Sequence, residues 1–449
     1  MNLENKKIMI VTTASLLIMS VIFGGWHLQD TVKTTPKEES MVNFKGSLLA
    51  ISDADMLATA YADGILNKVE GIEDSLSFIS FSNDKSYLQS QVHVSNSVIS
   101  WPSILAWHSG KNHAYVAETR GIYRSKDMKV KDVWKDMPIG KKITVIDYSD
   151  RNNPQVMQDS SIGENIQGVS INRDGNLLVA GSREKGKEII VARLNEGLIK
   201  ETFYFTHDEI EAKESNNSGI RTIEFHPREN IIAANLNNTK LVFFEILSGE
   251  EGIGIKQIGP SLEVAKMWSV GNWHPTGKYF ILTDVAWGKG DLGAIFNGKG
   301  KLVSVDFDPE GNHKVVSTAK VGLSPEGFDV SPDGKYAIVA NMRRTYGPKS
   351  FWFVPARKGA SLSLVKINPE TGQLNTLGKQ YGFEGALPED AVFDLESNTI
   401  AVAVYHEQDN TMPKKGWIEY WEVQNEELIR AGQKTMLTRG VHNLLVIKN

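Results

Sequence analysis

Cysteine is absent from all 449 residues. That excludes disulfides, thiolate metal sites, haem attached through C-x-x-C-H, a nucleophilic thiol and a lipidated cysteine. Long basic runs are absent as well, and the net charge is −5, so there is no electrostatic footprint for nucleic acid. P-loop, G-x-S-x-G and H-E-x-x-H sequences are missing, which removes the commonest phosphate-cradle, esterase and zinc-protease signatures. No amphipathic helix is convincing after residue 43. Hydrophobic content of 41% against 23% charged residues nevertheless belongs to a chain that buries a core.

A single long uncharged run is present, from Ile8 to Trp26, 19 residues with Lys6 and Lys7 before it. As a helix it would be about 28 Å long, close to the hydrocarbon thickness of a bilayer. The lysines favour a cytoplasmic N-terminus and an exported body. The run is long for a signal peptide's apolar core, and Ile22 or Phe23 would stand where cleavage wants a small residue. It reads as an uncleaved transmembrane anchor, with residues 1–7 as a cytoplasmic tip. The polar stretch 27–42 reads as a linker, and 43–449 as one domain on the periplasmic or extracellular side.

Within that domain a phrase returns six times: 102–118, 165–182, 220–235, 269–284, 325–341 and 388–404. Its clearest copy is PEGFDVSPDGKYAIVAN at 325–341. Each copy is an alternating strand, a four-residue turn and a second apolar strand. Aligned on the turn, the copies place Ser103, Gln167, Arg221, Ser269, Glu326 and Glu389 at equivalent positions, 48–64 residues apart. Such a period predicts an all-β propeller. GVHNLLVIKN at the end adds a seventh first strand, with His442 in register 53 residues after Glu389. Residues 43–95 lack a first strand of their own, and GSLLAIS and MLATAYADG look like the missing outer strands. The last strand of the chain therefore closes the ring as the inner strand of the first blade, which removes an exposed seam. Seven blades follow, or eight if residues 43–95 supply their own inner strand.

The strand geometry sorts residues onto two faces. The turns (SPDG, HPTG, HPRE) lie on one, called here the turn face. The first strands begin at the other, around the mouth of a central channel. The loops after each second strand rise from this loop face, and 286–301, 342–359 and 405–416 are long. Long loops on one face of a rigid scaffold commonly carry function. His108, His226 and His274 replace Ser331 at the turns and read as caps of their own turns. Trp101, Trp107, Trp268, Trp273, Trp417 and Trp421 flank strands and read as packing between blades.

Ser331, Pro332, Asp333, Gly334, Ala340 and Asn341, followed by Asn368, Pro369, Glu370, Thr371 and Gly372, resemble the lactonase-type or YVTN-type seven-bladed propellers. The repeat is sharp only over 321–375. The resemblance implies the fold. Lactonases, haem-handling proteins, quinoprotein-like enzymes and pure binding modules all use it. No position maps onto a lactonase catalytic residue, so no activity is carried over.

Two constellations stand out. Loop 342–359 holds Arg343, Arg344, Tyr346, Lys349, Phe351, Trp352, Phe353, Arg357 and Lys358. Guanidinium groups bind carboxylate or phosphate bidentately, and aromatics add stacking area. The loop is read as the binding surface for a partner protein, lipid headgroups or a small anionic ligand. The plain alternative is a solvated lid. The second constellation is the channel mouth, where Glu326, Glu389, His442 and Arg221 converge, with His406 and Asp284 nearby. Glu326, Glu389 and His442 are the candidates for a divalent-cation site or an acid–base set. Against this, propeller mouths are usually polar, and Glu and Arg there satisfy one another. The leading expectation is a membrane-anchored binding or scaffold module. Alternatives are a lactonase-like hydrolase with a metal at the channel mouth, and a propeller binding haem or quinone non-covalently.

Overall fold

The computed structural model describes residues 31–37, 42–83, 85–96, 101–122, 136–206, 219–249, 252–288, 293–294 and 297–448. Seven antiparallel sheets form the blades of a ring. Blade 1 runs from Leu105–His108 to Gln155–Ser161, blade 2 from Ile166–Ile171 to Leu198–Phe205, and blade 3 from Ile223–Phe225 to Gly252–Gln257. Blade 4 spans Trp268–Trp273 to Lys314–Leu323, blade 5 Pro325–Val330 to Leu374–Phe383, and blade 6 Ala391–Phe393 to Glu427–Thr438. Blade 7 is built from both ends of the domain. Its inner strand is Val441–Ile447, and Ser47–Ser52, Ser75–Ser82 and Lys85–His93 follow outward. Leu48 lies opposite Val446, Leu49 opposite Leu445 and Ala50 opposite Leu444. The ring is thus closed by the chain's own last strand, as its register predicts.

Burial falls from hub to rim, and the sequence follows it. Second strands such as Leu177–Ser182, Tyr279–Asp284 and Thr399–Val404 are buried at every position, because a neighbouring blade covers each face. They read as continuous apolar runs for that reason. Outermost strands such as Gln155–Ser161 are largely exposed and polar.

The turn histidines do more than cap. His226 Nδ1 accepts from the N–H groups of Arg228 and Glu229, and His274 Nδ1 from Thr276 N–H. That leaves Nε2–H as donor. His226 Nε2 lies 3.0 Å from Gly277 O of the next blade, and His274 Nε2 lies 3.0 Å from Gly334 O of the one after. Each imidazole therefore joins its own turn to its neighbour's. Glycine is required at the receiving turn twice over. Gly277 has φ +75°, and a Cβ there would come within 2.3 Å of His226 Nε2.

Two expectations need correction. MLATAYADG is not an outer strand. It belongs to the blade 7 loop 53–74 and contains a one-turn helix, Ala60–Asp63, which makes a further long connection on the loop face. Residues 27–42 are not wholly a free linker. Thr31–Lys33 adds a parallel fifth strand to blade 5, with Thr31 opposite Gln380 and Lys33 opposite Gly382. Lys37 bridges to Ala431 of blade 6, and Arg430 Nη1 donates to Thr34 O at 3.1 Å. Among the described residues no helix is long and apolar enough to cross a membrane, and the run 8–26 lies outside them.

Candidate functional site

Glu326 and His442 lie at the start of the inner strands of blades 5 and 7, Glu389 lies two residues before that of blade 6, and all three are buried. His442 Nε2 lies 3.1 Å from Asn96 Oδ1. The Asn96 amide nitrogen donates to Ser52 O and Val94 O, so its oxygen must accept and Nε2 carries the proton. The bare lone pair of His442 Nδ1 then points toward Glu389 Oε2, 3.8 Å away. Burial pushes the Glu389 carboxyl well above its ordinary range, reinforced by Glu326, Asp53 and Asp390, and burial alone pulls His442 down to about 3. A neutral imidazole thus faces a carboxyl that burial biases toward its protonated form. At 3.8 Å they are not hydrogen-bonded.

The expected metal set is not assembled. Glu389 and His442 approach each other, but with Glu326 the three do not bring their ligand atoms all within 4.8 Å of one another. Among the described residues only Asp53, Asp55 and Asp74 do. Asp53 and Asp74 already hold backbone, and Asp55 holds a lysine. Asp74 accepts from Ala54 and Asn96 N–H, Asp53 from Asp55 N–H, and Asp55 pairs with Lys68 at 2.7 Å. These acids fold the entry of loop 53–74.

The loop-side mouth is roofed. Trp101, at the entry to blade 1, meets Trp287 of the blade 4 loop with ring centroids 6.2 Å apart, and Trp287 meets Tyr346 of the blade 5 loop at 5.6 Å. Blades 1 and 4 are not neighbours in a ring of seven, so this contact crosses the axis. Arg221 of blade 3 lies over Trp101 at 5.5 Å. The expected ring of accessible polar groups is therefore sealed on this side, and Trp101 acts as part of the seal rather than as packing between adjacent blades.

Loop 342–359 also departs from expectation. Arg343 Nη1 donates to Gly359 O at 3.2 Å. Arg344 donates to Pro355 O at 2.9 Å and Asn297 O at 3.0 Å. Arg357 Nε donates to Pro348 O at 2.9 Å, and its guanidinium pairs with Asp409 of loop 405–416. All three arginines are buried, and so is Tyr346, whose hydroxyl donates to Ala294 O at 2.6 Å. Most of the guanidinium donors are engaged within the protein, on loop carbonyls and on Asp409, and the three groups are buried rather than presented to solvent. His406 is likewise internal. Its Nε2 accepts from Ala58 N–H at 3.1 Å, and burial lowers its pKa to about 4, which keeps it neutral. A second apolar cluster lies beneath these loops, formed by Met56, Leu66, Met342, Tyr346, Leu387 and Tyr405 with others. Outside it stand Trp352, 79% exposed, and Phe353, 51% exposed, with Lys349 and Lys358 also in solvent.

The turn side is different. A cavity of about 650 Å³ runs from the turn residues Ser109, Pro227 and Pro332 up the axis to Asp390 and Asn443, one residue below the mouth position. Three carboxyls line it: Glu224, Asp329 and Asp390. Burial is the first cause that raises each, Glu224 to about 8 and both aspartates to about 7. Sequence reasoning passed over these three because it followed only the mouth position. The signal was there: Glu224 and Asp329 occupy the same place in the third and fifth copies, as charged letters in otherwise apolar inner strands.

Glu224 gives a pH prediction. Its carboxyl is raised on folding, so ionising it costs stability as pH climbs from the unfolded value near 4.3 through about 8. Glu224→Gln lacks that cost. Its stability relative to the parent is expected to rise between pH 5 and pH 8 by about 1 kcal/mol or more, read from denaturant midpoints at each pH. A difference independent of pH would contradict the assignment.

No family model and no curated relative matches the chain. Solved structures match it in fold. Two proteins designated "putative 6-phosphogluconolactonase", from Bacteroides uniformis and Bacteroides fragilis, are each 13% identical, with TM-scores of 0.60 and 0.61. They match over 90% and 91% of this chain and 100% of their own. In fold, this chain is a seven-bladed propeller similar to these two. A protein of unknown function from Desulfotomaculum acetoxidans is 11% identical with a TM-score of 0.57, covering 90% of this chain and 99% of its own. At such identities the likeness carries the fold and none of the chemistry.

Proposed function

We propose that the protein is a binding module that presents Trp352 and Phe353 to a macromolecular partner from a rigid loop-face cap. The observation that carries this is the pair itself. Two large aromatic rings, 5.9 Å apart, are held in solvent on a loop that three buried arginines pin in place. Exposed aromatics on a preorganised support lose little conformational entropy on binding, and Trp and Tyr dominate binding energy at interfaces. Lys349 and Lys358 at the flanks favour an acidic partner surface. The uncharged run 8–26 supports an exported, membrane-anchored setting for this module.

The test is co-purification from native membranes after cross-linking. Trp352→Ser with Phe353→Ser is expected to cut partner recovery by about thirtyfold or more, the equivalent of a 2 kcal/mol hot spot. Neither ring is buried, so the denaturant midpoint should not move. Recovery equal to the parent's would defeat the proposal. A second reading, lactone hydrolysis, draws support from the buried Glu389–His442 pair beside the channel. Among the described residues lining the cavity none is Lys, Arg or His, so a phosphorylated lactone would meet no cationic anchor there. Under this reading the substrate is an unphosphorylated lactone.

A further inference from the structure

We propose that the central channel is a binding site for an organic cation, an amine carried on an apolar body, entered from the turn face. The cavity of about 650 Å³ lies within the range of small-molecule sites. Glu224, Asp329 and Asp390 line it, and no basic side chain among the described lining residues offsets them. Trp107, Trp273 and Phe225 supply aromatic faces beside the carboxyls. Carboxylates with aromatic walls are the chemistry that recognises an ammonium group.

The inner-strand position three residues below the mouth shows how the channel is divided. In blades 2 to 5 it carries Ser170, Glu224, Asn272 and Asp329, while in blades 6, 7 and 1 it carries Val392, Leu445 and Ala106. At this depth one half of the wall is polar and acidic and the other is apolar, with Asp390 and Asn443 above the apolar half. A ligand with a charged end and a hydrocarbon body matches both halves at once.

The plain alternative is that these polar groups only tie blade to blade. Some do. Asp329 Oδ2 accepts from Phe393 N–H at 2.9 Å, and Asp390 Oδ2 from Leu444 N–H at 2.8 Å. The same positions in other blades show that the duty needs no charge. Ser170 Oγ accepts from Phe225 N–H at 3.1 Å, and the Asn272 amide donates to Phe328 O at 2.8 Å. An uncharged residue would serve equally well at Asp329. Asp390 is engaged by Ala391, Asn443 and Leu444, but Glu224 and Asp329 are carboxyls at positions where blade packing needs no ionisable group. A bound cation would offset the cost of desolvating them.

Calorimetric titration of the full chain at pH 8 tests this with three probes of one shape: 2-phenylethylamine, 2-phenylethanol and 3-phenylpropionate. The amine is expected to bind at least about tenfold tighter than the alcohol, and the carboxylate not to bind. Glu224→Gln with Asp329→Asn keeps size and hydrogen bonding. It is expected to remove that tenfold preference while leaving alcohol binding unchanged, which shows that the channel is still folded. Equal binding of amine and alcohol, or no binding of the amine, overturns the proposal. So does displacement of the amine by millimolar calcium or magnesium with the same dependence on the two acids, since the channel would then belong to a metal ion.

Discussion

A chain ending at Gly440 is expected to lose the cooperatively folded monomer altogether. The nine residues removed include Val441–Ile447, which pair with Ser47–Ser52 at six positions and form the inner strand of blade 7. Val441, Leu444 and Ile447 are buried, worth about 2 kcal/mol each, and each lost ladder bond costs about 1 kcal/mol. Bonds beyond the strand go as well. Asn443 Oδ1 accepts from Ile104 N–H of blade 1 at 3.1 Å, and its amide donates to Asp390 of blade 6 at 3.0 Å. The sum is about 12 kcal/mol, comparable to the whole stability of a typical domain. What remains would expose Ser47–Ser52 as an unpaired apolar edge, a template for association. Size-exclusion chromatography and near-UV circular dichroism read the outcome. A monomeric truncated chain with native signal would contradict the closure described above.

The second large effect is expected at Arg439. Its side chain is fully buried, and its guanidinium donates to Ala54 O at 3.0 and 2.7 Å, to Pro413 O at 3.2 Å and to Asn67 O at 2.9 Å. It thereby joins the end of blade 6 to the loops of blades 6 and 7. It is also a positive charge close to Asp53, Asp55 and Asp74, although burial lowers its pKa. Arg439→Met keeps the volume and removes both services. Carbonyls lose their donors in a dry interior, and three acids lose a counter-charge. Breaking one partner of such a buried group costs about 3–5 kcal/mol. Arg439→Lys is expected to recover little of it, because one ammonium cannot reach three carbonyls held by a planar fork. Urea unfolding followed by tryptophan fluorescence measures both variants. A loss below about 1 kcal/mol for the methionine variant would show that the loops reseat without it.

The parts of this molecule that were legible in sequence are those governed by the repeat. Ring size, closure by residues 441–447 and the assignment of loops to one face follow from aligning six turns and one orphan strand. The turn histidines were half legible. Nδ1 capping is local, but the Nε2 partner lies 51 residues on for His226 and 60 for His274, at the next copy of the same turn. What was not legible is the direction of side chains in the loops. Arg343, Arg344 and Arg357 look like ligand-binding cations until the carbonyls of Asn297 and Pro355 and the carboxylate of Asp409 are seen beside them. Pro355 lies in the same loop, Asn297 and Asp409 come from the loops of blades 4 and 6, and none follows the period. Glu326 misled for a related reason: the ring brings every mouth residue toward one axis, but depth, and the Trp101–Trp287 contact above, decide which of them meet.

The strand at Thr31–Lys33 has a geometric consequence of its own. It fastens the chain to the outer edge of blade 5, away from both the capped face and the open end of the channel. Only residues 27–30 lie between Trp26 and that fixed point, and even fully extended they reach about 17 Å. If 8–26 crosses a bilayer, the leash is shorter than the disc is wide. Blade 5 would hang at the lipid surface, and the ring would stand on its rim like a coin. Trp352 and Phe353 would then look along the membrane on one side and the channel would open along it on the other, so the two surfaces proposed here would meet their ligands from opposite directions.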